Sequence, residues 1–229
     1  MAIDTSCKTT SCGIVIDDKT VSEFSVCDNM THSVKLMPLI DKSLKQSNIS
    51  IEDVDLIAVT NGPGSYTGLR IGVVTGKTFA YVNNIPVIGV NTLDALAQGY
   101  CMHHGALTIP IIDARNLRVY AAGFFENELI IDYSALAISD LCNCILNSSI
   151  DKNTTEIIFT GDGASDANKV VINELLQGFN VTFTNVLAPS AKQIADVAHK
   201  IFENSCRDKN VFDAASLSVN YMKKYNSEI

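Results

Sequence analysis

The segment of this chain richest in chemical possibility is Asn61-Gly62-Pro63-Gly64-Ser65-Tyr66-Thr67-Gly68-Leu69-Arg70-Ile71-Gly72. A glycine-rich turn that opens a helix can bind phosphate, because free N–H groups and the positive helix end point outward. The spacings that would make this specific are absent. A dinucleotide turn needs G-x-G-x-x-G, and here Gly68 follows Gly64 one residue too late. A P-loop needs G-x-x-x-x-G-K-[ST]. Gly72 to Gly76-Lys77-Thr78 is one residue too short and falls inside the helix. Gly68, Gly72 and Gly76 do share one helix face, at i, i+4 and i+8. An interior glycine costs about 1 kcal/mol relative to alanine, so the stripe implies close approach of another backbone. That backbone is either the protein's own sheet or a partner helix, with Leu69, Ile71, Val73 and Val74 dividing between core and interface.

A second group is Asp4-Thr5-Ser6, which follows a first strand. It fits the phosphate-binding hairpin of an actin-like ATPase, a fold of two related halves that each open with such a hairpin. The matching hairpin would be Ile112-Asp113-Ala114-Arg115-Asn116-Leu117-Arg118. It has no glycine to let backbone N–H groups reach phosphate, which argues against intrinsic ATP hydrolysis. Gly161-Asp162-Gly163-Ala164 could line an adenosine pocket, and a strand-to-helix turn explains it equally well. No G-x-S-x-G and no H-E-x-x-H occurs. His32 is expected at a helix start, His199 on a half-exposed helix face, and His103 and His104 on opposite faces of a strand.

Composition narrows the classes. The 229 residues carry a formal charge of −8, are 47% apolar and only 18% charged. Such a chain can bury a core and is not disordered. It repels phosphate polymers unless its cations cluster, and they do not. No apolar run reaches the roughly 20 residues of a membrane helix. An acidic Asp4 stands where a secretory signal would be basic, so a cytoplasmic chain with reduced thiols is expected. The seven cysteines (7, 12, 27, 101, 142, 144, 206) form no framework and no Cys-x-x-Cys.

The elements that must position these groups read as β-β-β-α-β-α-β-α over the first hundred residues. A meander spans Ala2 to Cys27, followed by a helix over Ser33–Leu44, a strand over Asp55–Val59 and a helix over Thr67–Val82. A strand over Ile85–Val90 and a helix from Thr92 complete the half. The second half repeats the outline. Strands are expected over Leu107–Ile112, Val119–Phe125, Glu128–Tyr133, Ile157–Phe159 and Val181–Phe183. Helices are expected over Ser139–Leu146, Asp166–Leu176, Ser190–Phe202 and Asp213–Lys224. This predicts a duplicated α/β fold with closely packed lobes at 1–102 and 103–229, the last helix packing back on the first lobe.

These strings resemble the TsaB (YeaZ) family of actin-like (ASKHA) proteins, once labelled glycoprotease homologues. The resemblance rests on Ala2-Ile3-Asp4-Thr5-Ser6, the Gly62–Gly72 string, Gly89-Val90-Asn91-Thr92-Leu93-Asp94-Ala95-Leu96-Ala97, Ile112-Asp113-Ala114-Arg115 and Gly161-Asp162-Gly163-Ala164. It implies a non-catalytic subunit in threonylcarbamoylation of the tRNA adenosine beside the anticodon. The implied partners are a TsaD-like catalytic paralogue and a TsaE-like ATPase, with TsaC supplying the threonylcarbamoyl-adenylate. A homodimer is implied when the partner is absent, and tRNA is met only through the complex. TsaD-like chains carry two metal-ligand histidines in G-V-N-H-x-x-x-H. Thr92 and Leu96 replace both here, and neither holds such a metal. The implied interface is Ser33, Leu36, Met37, Ile40, Tyr66, Thr67, Gly68, Leu69, Gly72, Val73 and Gly76. Nucleotide-proximal positions would be Asp4, Thr5, Ser6, Asp113, Gly161 and Gly163, with no intrinsic cofactor and ATP or ADP at the subunit interface. One departure is Asn220, where the family often has proline. The competing classes are an ATP-dependent actin-like enzyme, such as an ATPase or small-molecule kinase, and a metallopeptidase.

Overall fold

Polar turns between short β-branched runs fold the start of the chain into an antiparallel meander. β1 (Ala2–Asp4), β2 (Thr10–Ile16) and β3 (Lys19–Val26) pair in sequence order. Asp17 and Asp18 both have positive φ, as a two-residue hairpin turn requires. β4 (Ile57–Gly62) and β5 (Val87–Asn91) then add in parallel, giving the order β3-β2-β1-β4-β5. α1 (His32–Gln46) lies between β3 and β4 in the chain, α2 (Tyr66–Asn83) between β4 and β5, and α3 (Thr92–Gln98) after β5. The computed structural model describes residues 1–222 apart from 29, 101–102, 116–117, 149, 152–154, 206–207 and 209–211.

Successive strand residues point to opposite faces, and the sheet is apolar on both. Ile3, Ile57, Val59 and Val87 meet Leu36 and Ile40 of α1 and Val73 and Ala80 of α2. Ala2, Ala58, Ile88 and Val90 meet Ala95 of α3 and Ala191, Ile194, Val197 and Ala198 of α6 (Ala191–Asn204).

The same plan recurs in β6 (Ala106–Asp113), β7 (Arg118–Phe125), β8 (Glu128–Ala137), α4 (Ile138–Leu146), β9 (Glu156–Thr160), α5 (Asp166–Leu175) and β10 (Asn180–Phe183). The sheet order is β8-β7-β6-β9-β10, again a meander followed by two parallel strands. Its core joins Leu107, Ile109, Ile111 and Phe159 to Leu141 and Ile145 of α4 and Ile172 of α5. The expected duplication is present.

Two expectations need correction. The chain divides into one compact unit of Met1–Gly99 with Leu187–Asn220 and another built on Tyr100–Val186, so the expected lobe 103–229 loses residues 187–220 to the first unit. α6 belongs there because its small residues fit the first sheet. Ala191 lies so close to Gly13 that no other residue would fit at 13, and Glu23 accepts the Ala191 N–H at 2.9 Å as an anion at a helix start. The predicted helix Asp213–Lys224 is not a helix among its described residues. Asp213 Oδ1 takes the Ser216 N–H at 2.7 Å, and residues 217–222 form no regular element. Their backbone groups find partners on β4 and α2, which outcompete local helix bonds. Lys223 and Lys224 lie outside the described residues.

Candidate functional site

α2 begins where the sequence places it. Ser65 caps it, Oγ accepting the Gly68 N–H at 3.2 Å, and Asn84 ends it in the left-handed conformation at φ 53°. Its glycine stripe turns inward, which corrects the assignment of Gly68, Gly72 and Gly76 to a partner interface. A Cβ on Gly68 would collide with the Thr5 carbonyl oxygen, one on Gly72 with Thr5 Oγ1, and one on Gly76 with Val59 Cγ2. The backbone that comes close is the protein's own sheet. Leu69 and Val73 are core residues beside the stripe, as are Leu36 and Ile40 on α1, so these four side chains face the protein's own core.

The Asp4-Thr5-Ser6 hairpin is sealed by the same packing. Asp4, Thr5 and Ser6 are fully buried. Thr5 Oγ1 donates to the Gly68 carbonyl at 2.8 Å, and the Ser65 N–H donates to the Ser6 carbonyl at 2.6 Å. Gly64 needs its φ of 156° and its missing side chain, since a Cβ would strike the Ser6 carbonyl. The Asp4 carboxylate takes three bonds on Oδ1, from Thr60 Oγ1 at 2.6 Å, Ser6 Oγ at 2.6 Å and the Ser6 N–H at 3.1 Å. Oδ2 has no donor among the described residues. Burial raises the Asp4 pKa above the ordinary 3.8, and the Ser6 and Thr60 bonds only partly oppose it. The hairpin is a structural joint facing the α2 turn.

The second hairpin differs. Asp113 is exposed, and its Oδ1 accepts the Arg115 N–H at 2.8 Å. Arg115 takes a positive φ of 63° in the place of a glycine. Asn116 and Leu117 lie outside the described residues. Asp162 Oδ1 accepts the Asp113 N–H at 3.0 Å, joining hairpin and Gly161 turn. Gly163 is required because β6 passes close, its N–H bonding the Ile111 carbonyl at 3.0 Å. Gly161 donates to Val186 at 2.9 Å. The strand-to-helix turn accounts for both glycines.

What α1 and α2 leave exposed is a different stripe. On α2, Thr67, Arg70, Val74, Thr78 and Tyr81 recur at three- and four-residue steps opposite the glycines. Val74 is 61% exposed, Tyr81 82% and Val82 73%. The Arg70 guanidinium lies 4.0 Å from the centroid of the Tyr66 ring and donates to the Tyr66 hydroxyl. On the neighbouring α1, Ser33, Val34 and Met37 are exposed. Of the expected interface residues, Ser33 and Met37 on α1 and Tyr66 and Thr67 on α2 are therefore exposed. Val34, Tyr81 and Val82 join them without having been anticipated. Their signal was present: they are apolar on the helix faces where a solvated helix would be polar.

Three remaining groups have structural roles. His32 does start a helix, and its Nδ1 is 2.7 Å from Thr10 Oγ1, with the ring over Gly68. Its pKa is lowered by partial burial and then by the charge of Lys35. Thr92 and Leu96 are both fully buried at the start of α3, Asn91 capping the helix by accepting the Leu93 N–H at 2.9 Å. Cys7, Cys12, Cys27, Cys142 and Cys144 are thiols, and burial pushes Cys12 and Cys142 up to about 11. Cys101 and Cys206 lie outside the described residues.

The family model for TsaD, tRNA N6-adenosine threonylcarbamoyltransferase, matches residues 29–224. The chain belongs to this family, on its TsaB (YeaZ) branch. The tRNA threonylcarbamoyladenosine biosynthesis protein TsaB of Bacillus subtilis is 37% identical over 131 residues, 57% of each chain. That of Escherichia coli K12 is 34% identical over 129 residues, 56% of this chain and 55% of its own. The chain thus spans little more than half the length of the curated relatives it matches. A solved Pseudomonas aeruginosa protein described as similar to peptidase YEAZ superposes with a TM-score of 0.77 at 22% identity, over 97% of this chain and 98% of its own. The fold is shared more distantly with the ethanolamine utilization protein EutJ of Carboxydothermus hydrogenoformans, at a TM-score of 0.51 and 9% identity, over 86% of this chain and 88% of that one. No helix among the described residues is long and apolar enough to cross a membrane.

Proposed function

We propose that this chain is the non-catalytic subunit that supports threonylcarbamoyl transfer to the tRNA adenosine next to the anticodon. In this reading it binds a TsaD-like catalytic paralogue, and a TsaE-like ATPase joins the pair. The observation that carries the proposal is the open face of α1 and α2. Met37, Val74, Tyr81 and Val82 lie exposed there on two adjacent helices whose inner faces are locked onto the sheet. A helix pair that leaves such apolar side chains uncovered is suited to packing against a similar pair. The same face can meet a second copy when the partner is missing, giving a homodimer.

The TsaB-named relatives support the pathway. The buried Thr92 and Leu96 support the lack of a metal centre, since neither side chain is a ligand and neither reaches a surface. The sealed Asp4 hairpin weighs against an ATP-dependent enzyme, so a nucleotide of the complex would be held from the partner's side. tRNA would likewise be gripped by the other subunits, because this one carries −8. The test is co-purification of the chain with a TsaD-like subunit, with tRNA modification assayed with and without it. Full modification by the partner alone, or ATP turnover by this chain alone that Asp4→Ala abolishes, would sink the proposal.

A further inference from the structure

Residues 213–220 cross the carboxyl ends of β4 and β5 and touch α2 from behind. Leu217 is 7% exposed and belongs to the core that α1 and α2 share. Its carbonyl accepts from Lys77 Nζ of α2 at 2.9 Å. Asn61 Nδ2 donates to the Ser218 carbonyl at 3.2 Å, and the Asn220 N–H donates to the Asn61 carbonyl at 2.7 Å. That last bond could not form with proline at 220. Two glycines also answer to this segment. A Cβ on Gly62 would strike the Asn220 carbonyl, and one on Gly89 would lie 2.7 Å from Leu217 Cδ1. Each anchor is therefore on the strand β4, the strand β5 or the helix α2, and Asn61 and Gly62 lead directly into the turn that caps α2.

We propose that residues 213–220 are a clamp on α2, coupling a segment 140 positions away to the helix that carries the open face. The clamp and α2, which the Lys77 and Asn61 bonds tie to it, loosen together, while α1, which shares only the apolar core with Leu217, follows less. Coupling of this kind is reciprocal, so a partner seated on α2 tightens the clamp. This last consequence rests on the partner-binding reading above.

Amide hydrogen exchange of the full chain tests the clamp without reference to any partner. In Leu217→Ser, the amides of Asn220 and of α2 between Gly72 and Ala80 are expected to exchange at least about ten-fold faster than wild type, with α1 amides changing much less. Equal acceleration of α1 and α2 would mean simple loss of stability, and an unchanged α2 would mean no coupling. Either overturns the proposal. Lys77→Met, which keeps the aliphatic stem and removes one anchor, is expected to give the same ordering at smaller size in a fully folded protein. Adding a TsaD-like subunit to wild type is expected to slow exchange at Asn220, and binding that leaves Asn220 unaffected contradicts the reciprocal step. If no binding occurs at all, the partner reading fails while the Leu217→Ser result still decides the clamp.

Discussion

The two units have one strand plan and put it to different uses. In the first, β4 runs through the Gly62–Ser65 turn into an eighteen-residue helix with six buried positions, three of them glycines set against Thr5 and Val59. In the second, β9 runs through the Gly161–Gly163 turn into a ten-residue helix with a single buried residue, Ile172. The hairpins diverge in the same sense. Asp4-Thr5-Ser6 is sealed under α2, whereas Asp113 is exposed and Arg115 takes the left-handed position. Duplication thus conserves hydrogen-bond topology while backbone approach is set locally by which residues lack a Cβ. One copy has become a tightly seated platform, and the other retains ordinary helix-on-sheet packing.

The largest break in this comparison should come from the glycines. Gly72→Ala should destabilise the protein by roughly 2 kcal/mol, the usual size of overpacking. Gly72→Leu should leave little folded protein, as read by circular dichroism and denaturant midpoint. Folded Gly72→Leu of normal stability would mean that the stripe does not bear on the sheet. A smaller effect concerns Asp4. Its folded pKa is raised above 3.8, so the folded state holds a proton more tightly than the unfolded chain. That contribution is full below the unfolded value and is lost as pH rises through the folded one. Asp4→Asn should therefore lose less stability than wild type as pH rises from 3.8, and coincident curves would refute the raised value. The smallest effect is on RNA. With a charge of −8 the isolated chain should show negligible salt-dependent tRNA affinity in a filter or fluorescence titration.

Much of this was legible beforehand. Apolar periodicity located α1 and α2 to within about two residues, and the repeated β-β-β-α-β-α order announced the duplication. The Gly62–Gly72 string carried the family resemblance. The orientation of α2 was not legible, because a glycine stripe says that a backbone comes close without saying whose. Residues 213–224 have a helix-like pattern, and among residues 213–220 long-range bonds to Asn61 and Lys77 take the place of helix bonds. The seating of α6 in the first unit depends on Gly13 and Glu23, which lie far from it in sequence.

The central claim is that the outer stripe of α2, and not its glycines, meets the partner. A calorimetric titration of a TsaD-like subunit into wild type, Val74→Asp and Val170→Asp tests it most directly, since Val74 and Val170 are similarly exposed on corresponding helices. The expected result is at least about ten-fold weaker binding for Val74→Asp, as for a charge placed in an apolar interface, with wild-type affinity for Val170→Asp and unchanged melting for both. Wild-type affinity in Val74→Asp would contradict the account.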